Sequence, residues 1–213
     1  MADATEWVVV VPVKELHLAK TRLVDLAHAD RADLALAMAG DVIAAARASV
    51  AVAGVVVVTN DLRAAALADQ LGARVVADAT DSGLDAALVD VARAAAALWP
   101  RAGIAAVSSD LPCATGPDLT LLLGRAATHP RAVLADRGGD GTTVLVAAPG
   151  VPLGPSYGAG SRARHVRSGA EQIDPTGLDG LSLDVDTPKD LADALALGVG
   201  ERTAAVMLRA RTR

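Results

Sequence analysis

Phenylalanine is absent from the 213 residues, and the aromatic complement is Trp7, Trp99 and Tyr157 alone. A chain so poor in rings lacks the platforms on which nucleic-acid bases stack. The formal net charge of −5 and pI near 5.3 argue against a general polyanion binder, because such proteins carry a basic surface that neutralises phosphates. Cys113 is the sole cysteine, which excludes an internal disulfide and a thiolate metal cluster and fits a reducing compartment. No uninterrupted apolar run reaches membrane-spanning length. The segment Met1–Glu6 is acidic where a signal peptide is basic, so the expectation is a soluble, cytoplasmic protein with neither a nucleic acid nor a membrane as partner. Lysine is scarce as well, limited to Lys14, Lys20 and Lys189.

What the chain has in quantity is Ala, Val and Leu. A hydrophobic content of 52% and mean hydropathy of +0.37 suffice for a sizeable core, most simply in one domain over residues 1–213. Short, continuous apolar runs at 7–11, 53–58, 74–77 and 103–107 read as strands buried on both faces. Helical spacing at 30–48, 62–71 and 86–98 separates them, with Asp30 a plausible cap of the first helix, Thr59-Asn60-Asp61 capping the second and Gly72 ending it. This βαβαβαβ alternation predicts an α/β fold: a Rossmann-like domain around a mostly parallel central sheet. Further on, Pro117 suits the first turn of a helix, 132–135 and 143–147 read as strands, and the alternation in Leu181–Asp186 predicts another strand that places Asp184 and Asp186 on one face. Thr187-Pro188 then opens a helix as N-cap and first residue. The chain beyond Gly200 reads as a short surface helix.

In such sheets ligands bind beyond the carboxyl ends of the strands. Three clusters fall there. Asp110, in Ser109-Asp110-Leu111-Pro112, follows a central strand; it is either a site carboxylate or the cap of a turn. The loop after the first strand, Val13–Leu23, holds two of the three lysines, Lys14 and Lys20, beside Arg22; it is either a solvated basic turn or a phosphate clamp. The third, Gly158–Arg167, runs glycines into Ser161 at an expected N-cap, followed by three Arg and His165, a pattern that suits an anion. It is neither a P-loop nor a dinucleotide fingerprint, since Gly-Lys-Ser/Thr is missing and no early strand precedes it. The glycine-rich stretch Asp136–Thr142 reads first as a hairpin turn and second as a cradle for an anion.

Carboxylates alone repel a phosphorylated substrate; carboxylates holding Mg²⁺ attract one. Asp110 with Asp184 and Asp186 as metal ligands, and lysines around a triphosphate, are the equipment of phosphoryl or nucleotidyl transfer. No nucleophile–base pair stands out, as Cys113 has no evident His partner and His17, His28, His129 and His165 are scattered. A substrate phosphate as nucleophile needs no base, its second pKa being about 6.

Pro12-Val13-Lys14 through Lys20-Thr21-Arg22-Leu23, Asp110-Leu111-Pro112, Tyr157-Gly158-x-x-Ser161-x-x-x-His165 and Asp184-Val185-Asp186-Thr187-Pro188 together resemble the phosphoenolpyruvate/2-phospho-L-lactate guanylyltransferases of deazaflavin coenzyme (coenzyme F-420) biosynthesis, across nearly the whole chain. The resemblance implies a nucleotide-diphospho-sugar transferase-like fold and attack of the acid's phosphate on the α-phosphorus of GTP. By position, Thr142, Gly158 and Ser161 would hold phosphoenolpyruvate, the acceptor ranked ahead of 2-phospho-L-lactate. Lys14, Lys20, Arg22, Gly83 and Asp85 would bind the nucleotide, Asp110, Asp184 and Asp186 the Mg²⁺, with Asp110, Asp186 and Lys20 catalytic. Two departures are visible. Family members often carry Asn where this chain has Asp85, which cannot donate an amide hydrogen bond, and Gly where it has Ser109. A molybdopterin guanylyltransferase, a cytidylyltransferase or a non-catalytic nucleotide-binding regulator are the rival readings.

Overall fold

The computed structural model describes residues 5–23, 28–78 and 83–211; most of the acidic start and residues 79–82 of the polar loop before the third helix lie outside them. Among the described residues seven strands form one sheet in the order β3-β2-β1-β4-β6-β5-β7. They are β1 (Trp7–Pro12), β2 (Val52–Val58), β3 (Arg74–Val76), β4 (Gly103–Val107), β5 (Arg131–Ala135), β6 (Thr142–Ala147) and β7 (Glu171–Gln172). The helices are α1 (His28–Ala48), α2 (Leu62–Gln70), α3 (Leu84–Leu98), α4 (Gly116–Ala126), α5 (Ser161–Arg167), α6 (Asp179–Ser182), α7 (Pro188–Leu197) and α8 (Glu201–Arg211). Among the described strands only β6 runs against its neighbours, antiparallel to both β4 and β5, so Asp136–Thr142 is part of a hairpin connection as its glycines suggest.

The continuous valine runs are buried on both faces because helices cover both. Val9, Val11, Val55, Val57 and Val107 point into a core shared with α1, α2 and α4, whereas Val8, Val10, Val56, Val58 and Ala106 meet Leu88 and Val91 of α3. Each buried Val contributes on the order of 2 kcal/mol by leaving water. The tryptophans depend on missing side chains. Trp7 pairs with Gly103 in the ladder, and its indole occupies the space that a Cβ at Gly103 would need. A Cβ at Gly54 would likewise come within 2.6 Å of the Trp99 ring.

Topology fixes where a ligand can go. The chain winds outward from β1 to β2 and β3, then returns through α3 to β4 on the other side of β1. The order reverses between β1 and β4, and the crevice beyond their carboxyl ends is the switch point at which open α/β sheets bind ligands.

Two local expectations are corrected. Asp30 is not the cap of α1; the helix starts at His28 and Asp30 lies in its first turn, where a carboxylate complements the helix dipole. The stretch Leu181–Asp186 is not a sheet strand: Leu181 and Ser182 close α6, and 183–186 run outside the sheet. The alternation survives there, with Leu183 and Val185 buried and Asp184 and Asp186 half-buried. Its pairing partner is a loop, because the Val185 amide donates to the Asp110 carbonyl at 3.1 Å.

Candidate active site

A cavity of about 280 Å³ opens at the switch point, lined by Pro12–Lys14, Leu16, Leu18–Lys20, Leu84, Ser108–Asp110 and Asp186, with Ala35 and Met38 of α1 also in its wall. A second cavity, of about 390 Å³, lies at the opposite end of β4 between Ile104 and α3. Its one charged lining residue is Arg93, so it lacks the acid–base chemistry gathered at the first.

At the first cavity the ammonium of Lys20 sits between two carboxylates, 2.5 Å from Asp110 Oδ2 and 3.1 Å from Asp186 Oδ1. The Lys20 side chain is 9% exposed and that of Asp110 25%. Burial, the largest effect on Lys20, disfavours its charge, but the attraction and hydrogen bonds of Asp110 and Asp186 outweigh it and raise its pKa above the ordinary 10.5. The site therefore holds a fixed positive charge at neutral pH. Arg22 approaches Asp186 Oδ2 at 3.8 Å from a solvent-exposed position. Lys20 is also the sole non-glycine residue among those described with a left-handed backbone, at φ 53°. Such a conformation costs of the order of 1 kcal/mol and persists where the surroundings impose it.

Several elements converge to hold this geometry. The chain after β1 forms a short 3-10 turn at Leu16–Leu18, whose first amide donates to Asp61 Oδ2 at 3.0 Å. The other oxygen of Asp61 caps α2, accepting from Arg63 and Ala64 amides. Burial of Asp61 acts to raise its pKa, yet the three amide donors prevail and hold it below the usual carboxylate range. From the far side, Thr187 and Asp190 form a capping box on α7. Asp190 Oδ2 also accepts the Asp186 amide at 3.2 Å, which orients Asp186 toward Lys20.

Of the predicted residues, Lys14, Lys20, Asp110 and Asp186 meet at the cavity, with Arg22 at its edge. Asp184 does not close on the same point; among the described residues no three Asp, Glu, His or Cys side chains form a group able to hold a metal. Asp184 feels the pair electrostatically: burial first, then the charges of Asp110, Asp186 and Asp136, push its pKa up to about 6. The nucleotide-loop residues part company, since Leu84 lines the cavity while Asp85 Oδ1 accepts the Tyr157 amide at 2.9 Å.

Thr142 and Ser161 are buried and bonded to each other, Ser161 Oγ donating to Thr142 Oγ1 at 3.1 Å. Ser161 is not an N-cap: Gly160 takes that position in the left-handed region, and Ser161 is the first helical residue. Two of the three arginines of α5 are engaged within the protein. Arg162 bonds the Gly139 carbonyl and Gln172. Arg164 bonds the Ser156, Tyr157 and Ala159 carbonyls. The composition of the stretch suggests a basic anion site, but Arg164 satisfies the loop's own carbonyls and Arg162 those of the neighbouring hairpin and β7. His165 proves to be a hub instead, fully buried between Thr142 and Ser156. Its place in the Tyr157–His165 motif was the one sequence signal for it. Cys113 is buried, its thiol donating to the Ala194 carbonyl, and burial pushes its pKa up to about 11, which removes it as a thiolate nucleophile.

Comparison with known proteins bears on the family and the fold. Residues 7–211 match the family model described as guanylyl transferase, CofC like. A phosphoenolpyruvate guanylyltransferase of Thermomonospora curvata is 50% identical over 203 residues, 95% of this chain and 89% of the relative. Another protein of that name, from Streptomyces scabiei, is 51% identical over 209 residues, covering 96% and 97%. Among solved structures, a nucleotide-diphospho-sugar transferase candidate from Desulfovibrio desulfuricans superposes with a TM-score of 0.70 at 16% identity, covering 98% of this chain and 96% of that one, a likeness of fold. Matched over nearly its whole length, the chain belongs to the CofC-like guanylyl transferase family.

Proposed function

We propose that the chain joins GTP to phosphoenolpyruvate in deazaflavin coenzyme biosynthesis, giving enolpyruvoyl-diphospho-guanosine and pyrophosphate. The observation that carries the reading is the Lys20 ammonium held between Asp110 and Asp186 at the sheet's switch point, a preformed cationic centre flanked by hard oxygen donors. A phosphate oxygen of phosphoenolpyruvate forms the new bond to the α-phosphorus of GTP, and the bond from that phosphorus to the bridging oxygen of the β-phosphate breaks. The nucleophile is already ionised near neutral pH, its second pKa being about 6. That suits a cavity whose lining has no His or Cys to act as base.

The donor set fits Mg²⁺. Asp110 and Asp186 present carboxylate oxygens to one shared cationic point, and magnesium is usually held by one or two carboxylates plus substrate phosphates. Asp184, whose ionised form is penalised by burial and by both neighbours, is the reserve ligand. The chemistry that Mg²⁺ supplies when bound is neutralisation of charge on phosphate oxygens. Lys20 would contact the triphosphate, and exposed Lys14 and Arg22 would meet its outer phosphates. Thr142, Gly158 and Ser161 hold the acid. Pyrophosphate release from GTP, measured with each acid in turn and with Mg²⁺ added or chelated, tests the reading. Turnover with 2-phospho-L-lactate alone would move the acceptor assignment; no turnover with either acid would overturn the reaction.

A further inference from the structure

His165 has a tautomer fixed by its neighbours. Its Nε2 lies 2.8 Å from the Ser156 amide nitrogen, which can only donate, so Nε2 is the acceptor and carries no proton. The ring is neutral at pH 7: burial first, then the Arg131 and Arg164 guanidinium groups, push its pKa down to about 4 against the opposing pull of Asp85. The single ring proton is then on Nδ1, 3.0 Å from Thr142 Oγ1, and Thr142 accepts it. Thr142 accepts a second hydrogen bond from Ser161 Oγ. A hydroxyl has two acceptor sites and one proton; with both sites filled, the proton of Thr142 must go elsewhere.

The loop facing this hub is arranged in the same sense. The Ser156 and Tyr157 amides are taken by His165 and Asp85. Arg164 gathers the carbonyls of Ser156, Tyr157 and Ala159. The loop's acceptors are thereby engaged by one cation, an arrangement that leaves it short of acceptors and suited to an anionic ligand.

We propose that His165 is a positioning residue for the acceptor substrate: by keeping Thr142 a double acceptor, it commits the Thr142 hydroxyl proton to an anionic oxygen of the phosphorylated acid. This rests on the reading that Thr142 contacts the acid. It assigns to a fully buried histidine a part in substrate selection, although the ring itself touches no substrate.

The test begins with the tautomer, observed in long-range ¹H–¹⁵N spectra of the uniformly labelled full chain. The expected result is a proton on Nδ1 and none on Nε2 between pH 6 and 8. A proton on Nε2 overturns the proposal, since Nδ1 would then accept from Thr142 and use up its hydrogen. Steady-state kinetics follow. Loss of one hydrogen bond to a charged group in Thr142→Val should raise KM for phosphoenolpyruvate roughly ten- to a hundredfold with KM for GTP nearly constant, and Thr142→Ser should restore most of it. His165→Asn offers an N–H near the Nδ1 position, whereas His165→Gln satisfies Ser156 and offers nothing to Thr142. KM for the acid should therefore rise more in His165→Gln; an equal rise in both would reduce His165 to packing. If neither variant folds, the wild-type tautomer and the Thr142 pair decide. A wild type that forms the expected tautomer but turns over neither acid would refute the proposed reaction and leave the tautomer standing.

Discussion

Lys20 joins a left-handed backbone to a nearly buried charge. A lysine in that position is costly in both respects, and the two carboxylates stabilise it. Lys20→Met leaves Asp110 and Asp186 facing each other without a cation; we expect a loss of about 2 kcal/mol in urea denaturation at pH 7, below the usual range for a fully buried pair because Asp186 is half exposed. The sign of the pH effect follows from the raised lysine pKa. The clamp's contribution is complete below 10.5 and fades as pH rises through the folded value. Wild type should lose stability on that alkaline limb, and Lys20→Met should not. His165 works in the opposite direction. Its folded pKa, depressed to about 4 from 6.5, means that the unfolded chain binds more protons between those values. Its contribution is lost as pH falls through that window, and a thermal-melt profile of His165→Gln should be flatter there than wild type.

At the scale of elements, the site depends on how the 183–186 segment reaches Asp110. Gly180 of α6 has the Cys113 carbonyl where a Cβ would stand, so Gly180→Ala must push α6 away from the loop after β4. Reduced stability together with lowered turnover per folded molecule is the expected outcome, read by melting and by activity normalised to folded protein. Thr187→Ala removes half of the α7 capping box and should cost about 1 kcal/mol. Because Asp190 also holds the Asp186 amide, turnover should fall with it.

The strands holding Val8–Val11 and Val55–Val58 were legible because double-sided burial writes continuous apolar runs, and the α7 start because Thr187-Pro188 is a local signal. What was not legible depends on partners distant in sequence. Nothing local distinguishes a Leu183–Asp186 alternation paired to a sheet from one paired to the Asp110 loop. Arg162 and Arg164 read the same in sequence whether they face an anion or acceptors of the protein itself. The link from Asp61 to Leu16 spans two connections that no periodicity relates.

For the whole molecule, α8 closes the fold against α1, its Val206 and Met207 packing with Leu23 and Met38. Buried Asp41 of α1 accepts the Arg202 and Thr203 amides, fastening the start of α8, and Gly200 lies so close that a Cβ there would overlap the Asp41 carboxylate. Asp41→Ala should lower stability by roughly 2 kcal/mol, as expected for two hydrogen bonds to a charged acceptor. KM for either substrate should stay near wild type in molecules that remain folded. Among the described residues no helix is long and apolar enough to cross a membrane.

Pyrophosphate release from GTP and phosphoenolpyruvate, compared between wild type, Asp110→Asn and Asp186→Asn at saturating Mg²⁺, tests the central claim most directly. The proposed reaction predicts release in the wild type, with a fall of roughly a hundredfold or more in each variant. Full turnover in both variants would contradict it.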